Sequence, residues 1–442
     1  MSPEAQDDNL VQPQDDNSGQ TQDTPSTMPP RKAPILRSTK SDWTAVGIIS
    51  AVCAIAIGGA VITAPIHKAE LTPAVNVSTD AEPELLDAIP DSLTESFSVP
   101  NTLMPGQSRA VSSKGLLISY EGDTLVATDS AGNTVWSYER RDADLCSLGT
   151  AWNKVVATYR TGVGCGDVVA LHAANGEYAD TRSARSADEV VPITSNDRVG
   201  TVSTSRVELW RSDLVRTVEY GDVDAKQEPN MQPHEDCSIT SALTRTESLA
   251  VTESCPDSPD STWLRIQEAT PEDSRKPEIT KDIEISDPGA RLVAFGQEAA
   301  AVYLPADTPR IISYNFDGEV VSTTEVEPST AITDSASPFA PAIADLPHHM
   351  SWFDGERLYL FTPTALEVDH VLDNALGTGI TLGERLLVPT EEGIDVVNWS
   401  SGRTERTIPV DRDGYTGPIS LTLAGKAIIE QRGDTAVGLV AS

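Results

Sequence analysis

Four of the five cysteines have the chemistry to form disulfides, and their positions suggest which ones pair. Cys146 and Cys165 are 19 positions apart, and Cys237 and Cys255 are 18 positions apart. Four cysteines allow three pairings, and the nearly equal spacings favour pairing between neighbours. The segments SITSAL and SLAVTES look like two strands that turn at Arg245–Thr246. In such a hairpin Cys237 and Cys255 would face each other at the open end, within disulfide reach.

Histidine offers a second kind of chemistry, which is metal binding. His234, in a His-Glu-Asp run, and the neighbours His348 and His349 are of a type that ligates zinc. Neither group has the i, i+4 spacing of a helical metal site, so loop histidines are the favoured interpretation and no metal is predicted. Trp352 and Phe353 lie beside the histidine pair. If these aromatic rings are exposed, they and the two histidines would form a surface for a partner.

Catalytic motifs are missing from the sequence. It contains no GxSxG, Walker A or HExxH pattern. The acidic loop around residues 222–236 is interpreted as solvated, because a calcium ion needs about six to eight convergent oxygen ligands. We therefore predict no catalytic residue and no cofactor.

The net charge narrows the choice of partner. The chain has 442 residues, with 32 basic and 67 acidic side chains and a formal charge of −35 at pH 7. Binding to phosphate groups needs a basic surface, so the charge argues against nucleic acid and against docking on anionic lipid head groups. A hydrophobic content of 39% is enough for a large core.

The N-terminal region predicts a membrane anchor. Residues 1–30 are acidic and polar and are expected to be disordered, whereas the basic residues that follow cluster just before Trp43. Residues 44–66 carry no charge and are long enough to cross a bilayer. The positive-inside rule places residues 1–43 in the cytoplasm and the rest of the chain outside the plasma membrane, where disulfides persist.

Two other interpretations of this apolar segment fit less well. A cleaved signal peptide has a shorter apolar region, and Pro65 directly follows the best cleavage position here. A lipoprotein anchor would use Cys53, but Val52 before it is too large for that signal. Cys53 is then a small apolar residue within the membrane.

Short β runs separated by turns repeat through residues 92–442. The segments 114–140 and 153–182 share one order of strand, turn, alternating strand, glycine turn and strand, and weaker copies follow. A period of about 45 residues with four strands per unit is typical of a β-propeller. We predict an all-β propeller of eight blades, with seven as the alternative, in which residues 92–99 complete the last blade and leave no open edge. Residues 67–91 are rich in Pro, Asp and Glu and predict a stalk.

Large and charged side chains of these units are expected to have structural roles. Tryptophans recur near the third or outer strand and should pack between blades; they are Trp136, Trp210, Trp263 and Trp399. Arginines of the third unit should form ion pairs on the outer strands; they are Arg206, Arg211 and Arg216.

The repeat resembles that of pyrroloquinoline-quinone-like, or quinoprotein-type, propellers. That family has a strand followed by ALDxxTGxxxW, and this chain has VATDSAGNTVW at 126–136 and VALHAANGEYA at 169–179. With its acidic tail and single helix, the chain also looks like membrane-anchored envelope proteins of actinobacteria. The resemblance implies a fold more than a function, because such propellers include alcohol and glucose dehydrogenases as well as a non-catalytic scaffold lipoprotein of the outer-membrane assembly machine.

Three functions are compatible with these features. A non-catalytic envelope scaffold, which binds another envelope protein or polymer, is favoured by the anchor and the closed fold. The alternative is a sensor that signals through the short cytoplasmic tail. The second alternative is a quinoprotein-type enzyme, but the chain lacks the adjacent cysteines that many alcohol-oxidising members carry.

Overall fold

The computed structural model describes residues 38–223, 226, 228–333 and 335–442. The predicted disorder of residues 1–30 therefore lies outside the described residues. The chain divides into two compact units, Met1–Thr63 and Ala64–Ser442.

The described part of the first unit forms one long helix, α1 (Lys40–Ile62). Thr39 caps its N-terminus, where the Thr39 and Asp42 side chains each accept a backbone N–H of the other residue. The helix is apolar and long enough to cross a membrane, and its side chains are mostly exposed. It starts and ends earlier than the predicted span 44–66, because the cap lies at Thr39 and Pro65 disfavours helical backbone before it.

The second unit is a ring of eight antiparallel sheets, the eight-bladed propeller predicted from the repeat. Two strands precede the first complete run of blade strands, namely β1 (Ala69–Thr72) and β2 (Leu93–Pro100). Blade 1 continues with β3 (Val111–Ser113), β4 (Leu116–Glu121), β5 (Thr124–Thr128) and β6 (Thr134–Arg140). Blade 2 has β7 (Leu145–Ala151), β8 (Lys154–Thr161), β9 (Gly164–His172) and β10 (Tyr178–Ser183). Blade 3 has β11 (Val191–Thr194), β12 (Val199–Val202), β13 (Arg206–Trp210) and β14 (Arg216–Gly221). Blade 4 has β15 (Ser238–Arg245), β16 (Ser248–Ser254), β17 (Thr262–Glu268) and β18 (Ile279–Ile285).

The second half of the ring repeats the same order. Blade 5 has β19 (Arg291–Phe295), β20 (Ala299–Leu304), β21 (Arg310–Asn315) and β22 (Val320–Glu325), and the short helix α2 (Thr330–Thr333) follows it. Blade 6 has β23 (Ala342–Asp345), β24 (Met350–Phe353), β25 (Leu358–Phe361) and β26 (Val368–Leu372). Blade 7 has β27 (Ile380–Leu382), β28 (Arg385–Thr390), β29 (Gly393–Asn398) and β30 (Arg403–Pro409). Blade 8 has β31 (Ile419–Ala424), β32 (Ala427–Arg432) and β33 (Thr435–Ala441).

The ring closes through β2, as predicted from the missing outer strand of the last unit. β2 pairs antiparallel with β33, from Leu93 opposite Ala441 to Pro100 opposite Thr435. The Phe97 ring of β2 lies directly over Gly438 of β33, where a side chain would clash with it. β2 and the C-terminal strand β33 thus share blade 8, and their pairing satisfies an edge of β33 that would otherwise be open.

The segment predicted as a stalk lies on the propeller instead. β1 pairs with β6 and adds a fifth strand to blade 1, with Ala69 opposite Arg140. Further along, Leu86 and Ile89 pack against the core between blades 7 and 8. The stalk prediction is wrong for these residues because β1 binds the free backbone groups at the outer edge of blade 1, which its Pro- and Glu-rich surroundings do not reveal.

Trp136 and Arg216 have the structural roles predicted for them, whereas Arg206 lies on the third strand of blade 3 and Arg211 in the turn after it. Trp136 of blade 1 is buried and its Nε1–H donates to the Ala173 carbonyl of blade 2 at 2.8 Å. Arg206 and Arg216 form ion pairs with Glu219, while Arg211 pairs with an aspartate two residues along the chain. Adjacent blades are therefore joined by buried aromatic contacts.

Disulfides join Cys146 to Cys165 and Cys237 to Cys255, the neighbour pairing that the spacing favoured. The second pair closes the β15–β16 hairpin, in which Ser238 lies opposite Ser254. Cys53 in the helix is free.

Thiol labelling tests these assignments. We expect maleimide to add one label to the full-length protein denatured without reductant, because only Cys53 is free among five cysteines. After reduction all five should react. The Cys53→Ser variant is the control and should take no label before reduction; label at any other cysteine would contradict the pairing.

Candidate functional site

A central channel runs along the axis of the propeller. Its volume is about 870 Å³, and the inner strands or adjoining turns of all eight blades line it. This size is in the range of ligand-binding pockets, about 300–1,000 Å³. The channel is therefore the candidate binding site.

One end of the channel is occupied by the segment 101–110, which connects β2 to β3. Gly106 at its turn lies against Val191 of blade 3 and Ala340 of blade 6, two blades that are not neighbours. A Cβ atom at Gly106 would lie 2.7 Å from the Val191 Cβ and 2.9 Å from the Ala340 Cβ. Because both neighbours lie where inner strands begin, this segment forms a plug at that end; we call residues 101–110 the plug.

Hydrogen bonds hold the plug at both of its ends. The buried Asn101 donates through Nδ2 to Gln431 Oε1 at 2.7 Å and accepts from the Tyr120 N–H at 3.0 Å. At the other end Thr422 Oγ1 donates to the Ala110 carbonyl at 2.9 Å. The plug is thereby fixed to blades 1 and 8.

Replacing Gly106 with alanine should destabilise the protein by about 2 kcal/mol, because the new methyl group meets two blades and the residue has a positive φ of 76°. Chemical denaturation of the full-length protein measures this loss. Gly122→Ala is the matched control, since Gly122 also has a positive φ, of 63°, but nothing lies within 4 Å of a Cβ there. It should cost about half as much. Equal losses would mean that the plug does not depend on close approach at Gly106.

The other end of the channel is open to solvent. Thr246, Asp345 and Pro347 lie there, at the turns that follow the inner strands, and all three are exposed. We call this end the mouth. Arg245 and Asp345 form an ion pair across it, with Arg245 Nη1 2.8 Å from Asp345 Oδ2.

Four charged residues line the channel in the part of the chain that the structure describes: Arg109, Asp197, Arg245 and Asp345. Asp345 pairs with Arg245, and Asp197 lies 3.1 Å from Arg198 and accepts from Ser195 Oγ at 3.0 Å. Arg109, which belongs to the plug, has no ion pair or side-chain hydrogen bond with any described residue. Burial lowers the pKa of its guanidinium, and the charge of Asp345 partly opposes that shift. Sequence analysis missed Arg109, because nothing local marks it as facing the axis.

The predicted aromatic partner surface is not exposed. Trp352 is completely buried and Phe353 is 8% exposed, so neither ring is available to a partner, which is a correction to that expectation. Both lie on β24, which is covered on both faces by neighbouring strands and blades. His348 is exposed, and His349 is buried with its ring stacked on Trp399 at 5.5 Å.

His349 also contacts an acidic side chain. Its Nε2 lies 2.8 Å from Asp369 Oδ2, and the same oxygen lies 3.5 Å from His370 Nε2. His348 does not join them in this contact, and its ring meets the edge of Trp399 at 5.5 Å. The two neighbouring histidines thus have different surroundings, one inside and one outside the fold.

His234 approaches two other possible metal ligands, Cys237 and Glu253, within 4.8 Å. Cys237 is already bonded to Cys255. The buried Glu253 accepts from Tyr220 Oη at 2.7 Å and pairs with a buried arginine. Burial lowers the pKa of His234. Cys237 is held in the disulfide, and Glu253 is held by its hydrogen bond and ion pair. While the disulfide is intact, the cluster of His234, Cys237 and Glu253 is therefore part of the fold.

The fold and channel define a class, the eight-bladed β-propellers. No protein-family model and no curated protein matches the chain. Among solved structures it is similar to BamB from Moraxella catarrhalis, with 13% identity over 79% of this chain and 97% of that one and a TM-score of 0.43.

Two other solved structures have a similar fold. The dihydro-heme d1 dehydrogenase NirN shares 12% identity over 79% of this chain and 75% of its own, with a TM-score of 0.47. AztD from Citrobacter koseri shares 13% identity over 71% of this chain and 87% of its own, with a TM-score of 0.42. All three are β-propeller proteins, and likeness at this level does not extend to function.

Proposed function

We propose that this protein is a membrane-anchored, non-catalytic binding or scaffold protein of the cell envelope, and that a partner binds at the mouth of its channel. The observation that carries the proposal is the asymmetry of the channel. Its own plug fills one end, whereas the other end is open and lined by turns from several blades. The two carboxylates that line the channel, Asp345 and Asp197, are held in ion pairs with arginines, so their positions are fixed for contact with a partner.

The proposed orientation has residues 1–43 in the cytoplasm, α1 across the plasma membrane, and the propeller outside. Basic residues before the helix support it through the positive-inside rule. Two disulfides in the propeller support an oxidising compartment. We further propose that the blades belong to the pyrroloquinoline-quinone-like type, on the strength of the repeat at 126–136 and 169–179.

Site-specific crosslinking in cells tests the proposal. A photoreactive amino acid at position 246, on the exposed mouth, should capture one or two envelope proteins that mass spectrometry identifies. The matched control places the same amino acid at position 121, an exposed site at the β4–β5 turn of blade 1. That turn lies at the other ends of the strands from the mouth and should not capture the same proteins. Equal capture at both positions, or none at position 246, would overturn the proposal.

A further inference from the structure

We propose that Arg109 binds the carboxylate group of a ligand that enters the channel through the mouth. This inference rests on the proposed function and names the chemistry that the channel recognises. The ligand group carries a single negative charge, and its source is either a small free carboxylic acid or the carboxyl terminus of a partner chain.

The first argument is charge. Arg109 is half-buried and lines the channel, and it alone among the four charged lining residues lacks a partner within the described chain. A guanidinium that is partly removed from water is stabilised by an accompanying anion; burial lowers the pKa of Arg109, and the charge of Asp345 partly opposes that shift. It nevertheless stays charged at neutral pH, because arginine is protonated far above that pH. An anion bound beside Arg109 would therefore offset part of this desolvation.

The second argument is that the backbone of Arg109 is fixed. Gln107 Nε2 donates to the Arg109 carbonyl at 3.0 Å, and the next residue, Ala110, accepts from Thr422 at 2.9 Å. Gln107 Oε1 in turn accepts from the Met104 N–H at 3.2 Å. A guanidinium on a fixed backbone loses less conformational entropy when it binds a ligand.

The third argument is the nature of the other lining groups. Hydroxyl-bearing side chains from neighbouring blades line the same space, among them Thr150 of blade 2 and Thr194 of blade 3. Hydroxyl groups donate to carboxylate oxygens without adding charge.

These groups favour a carboxylate over a phosphate. One guanidinium that contacts no carboxylate of the described chain can pair with one negative charge, and its planar fork matches the planar carboxylate. Asp345 lies at the mouth and would repel a dianion more strongly than a monoanion. The end of the channel that the plug closes suits a ligand whose charge lies at its tip. The channel volume of about 870 Å³ has room for a small acid or for the last residues of a chain.

Calorimetric titration of the full-length protein in detergent tests the inference. The probes are acetate, benzoate and a set of tetrapeptides with apolar side chains. Each tetrapeptide is made in two forms, one with a free C-terminal carboxylate and one with a C-terminal amide. The amides of acetate and benzoate are their uncharged counterparts. The variants are Arg109→Gln, which removes the charge, and Arg109→Lys, which keeps it. Arg211→Gln is the matched control, because Arg211 is exposed and outside the channel.

We expect at least one acid to bind and its uncharged counterpart not to bind. Arg109→Gln should weaken this binding by about 10- to 100-fold, Arg109→Lys should weaken it less, and Arg211→Gln should leave it unchanged. Tighter binding of peptide acids than of acetate and benzoate assigns the ligand to a chain terminus, and the reverse assigns it to a free acid. Binding of no acid, equal binding of acid and amide, or binding that Arg109→Gln does not change would overturn the inference.

A second measurement separates a binding role from a structural one. Without ligand, Arg109→Gln should leave the melting temperature nearly unchanged, because the half-buried Arg109 side chain makes no ion pair or hydrogen bond with a described residue. A lower melting temperature would make Arg109 a structural residue and overturn the inference. Crosslinking at position 246 does not depend on Arg109, so partner capture without carboxylate binding would refute this inference alone, while failure of both would refute the proposed function as well.

Discussion

Phe97→Ala should lower the free energy of unfolding by about 2 kcal/mol, since it removes a large, partly buried ring from the strand that closes the propeller. Phe97 lies on β2 and packs with Val99 against the core formed by blades 8 and 1. Its ring fills the space that Gly438 on the neighbouring strand leaves open. Alanine would remove these contacts at the seam between the two ends of the ring. Denaturant titration of the full-length protein, followed by tryptophan fluorescence, measures the loss.

The matched control for this variant is Leu71→Ala. Leu71 lies on β1, which also adds an outer strand to a blade, but blade 1 has four other strands without it. Leu71 is partly buried like Phe97, but its side chain is smaller and lies on a strand that does not close the ring, so its loss should be about 1 kcal/mol. Similar losses for the two variants would show that closure by β2 is no more important than the added strand.

Glu430→Gln should lower the free energy of unfolding by about 3–5 kcal/mol, because it leaves two buried arginines without their common partner. Glu430 is completely buried on β32, where Arg412 Nη2 lies 2.8 Å from its Oε1 and Arg432 Nε lies 2.8 Å from its Oε2. Arg412 also donates to the Gly393 carbonyl of blade 7 at 2.8 Å. The carboxylate thus anchors a contact between blades 7 and 8. Denaturant titration at neutral pH checks the loss.

The control for this second variant is Glu405→Gln. Glu405 pairs with Arg385 at 2.7 Å, but its side chain is exposed on blade 7. Solvent screens such a pair, so stability should hardly change. A small effect of Glu430→Gln, equal to that of the control, would show that the buried cluster tolerates the loss of its charge.

Prediction from the sequence succeeded where the signal was local. Strand alternation and turn glycines at a regular period identified eight blades, and the incomplete last unit identified residues 92–99 as its outer strand. Cysteine spacing identified both disulfides for the same reason, since each pair belongs to one blade or its border. Such features depend on residues near one another in the chain.

Prediction failed where side chains from distant segments meet. Burial of Trp352 depends on blades 5 and 6 packing together, which a local aromatic pattern does not reveal. The place of β1 on blade 1 depends on an unpaired strand edge about 70 residues later in the chain.

By itself, the sequence determined that this chain has an apolar helix and a strongly acidic propeller with paired cysteines. It also determined that a strand near the start of the propeller completes the last blade and closes the ring. These properties follow from composition and from a repeat that each unit carries. Only the tertiary structure decided that the plug fills one end of the channel and that Arg109 is the charge left without a partner there. The physical reason is that the channel exists only after all eight blades have packed around one axis, so no single repeat encodes which side chains face it.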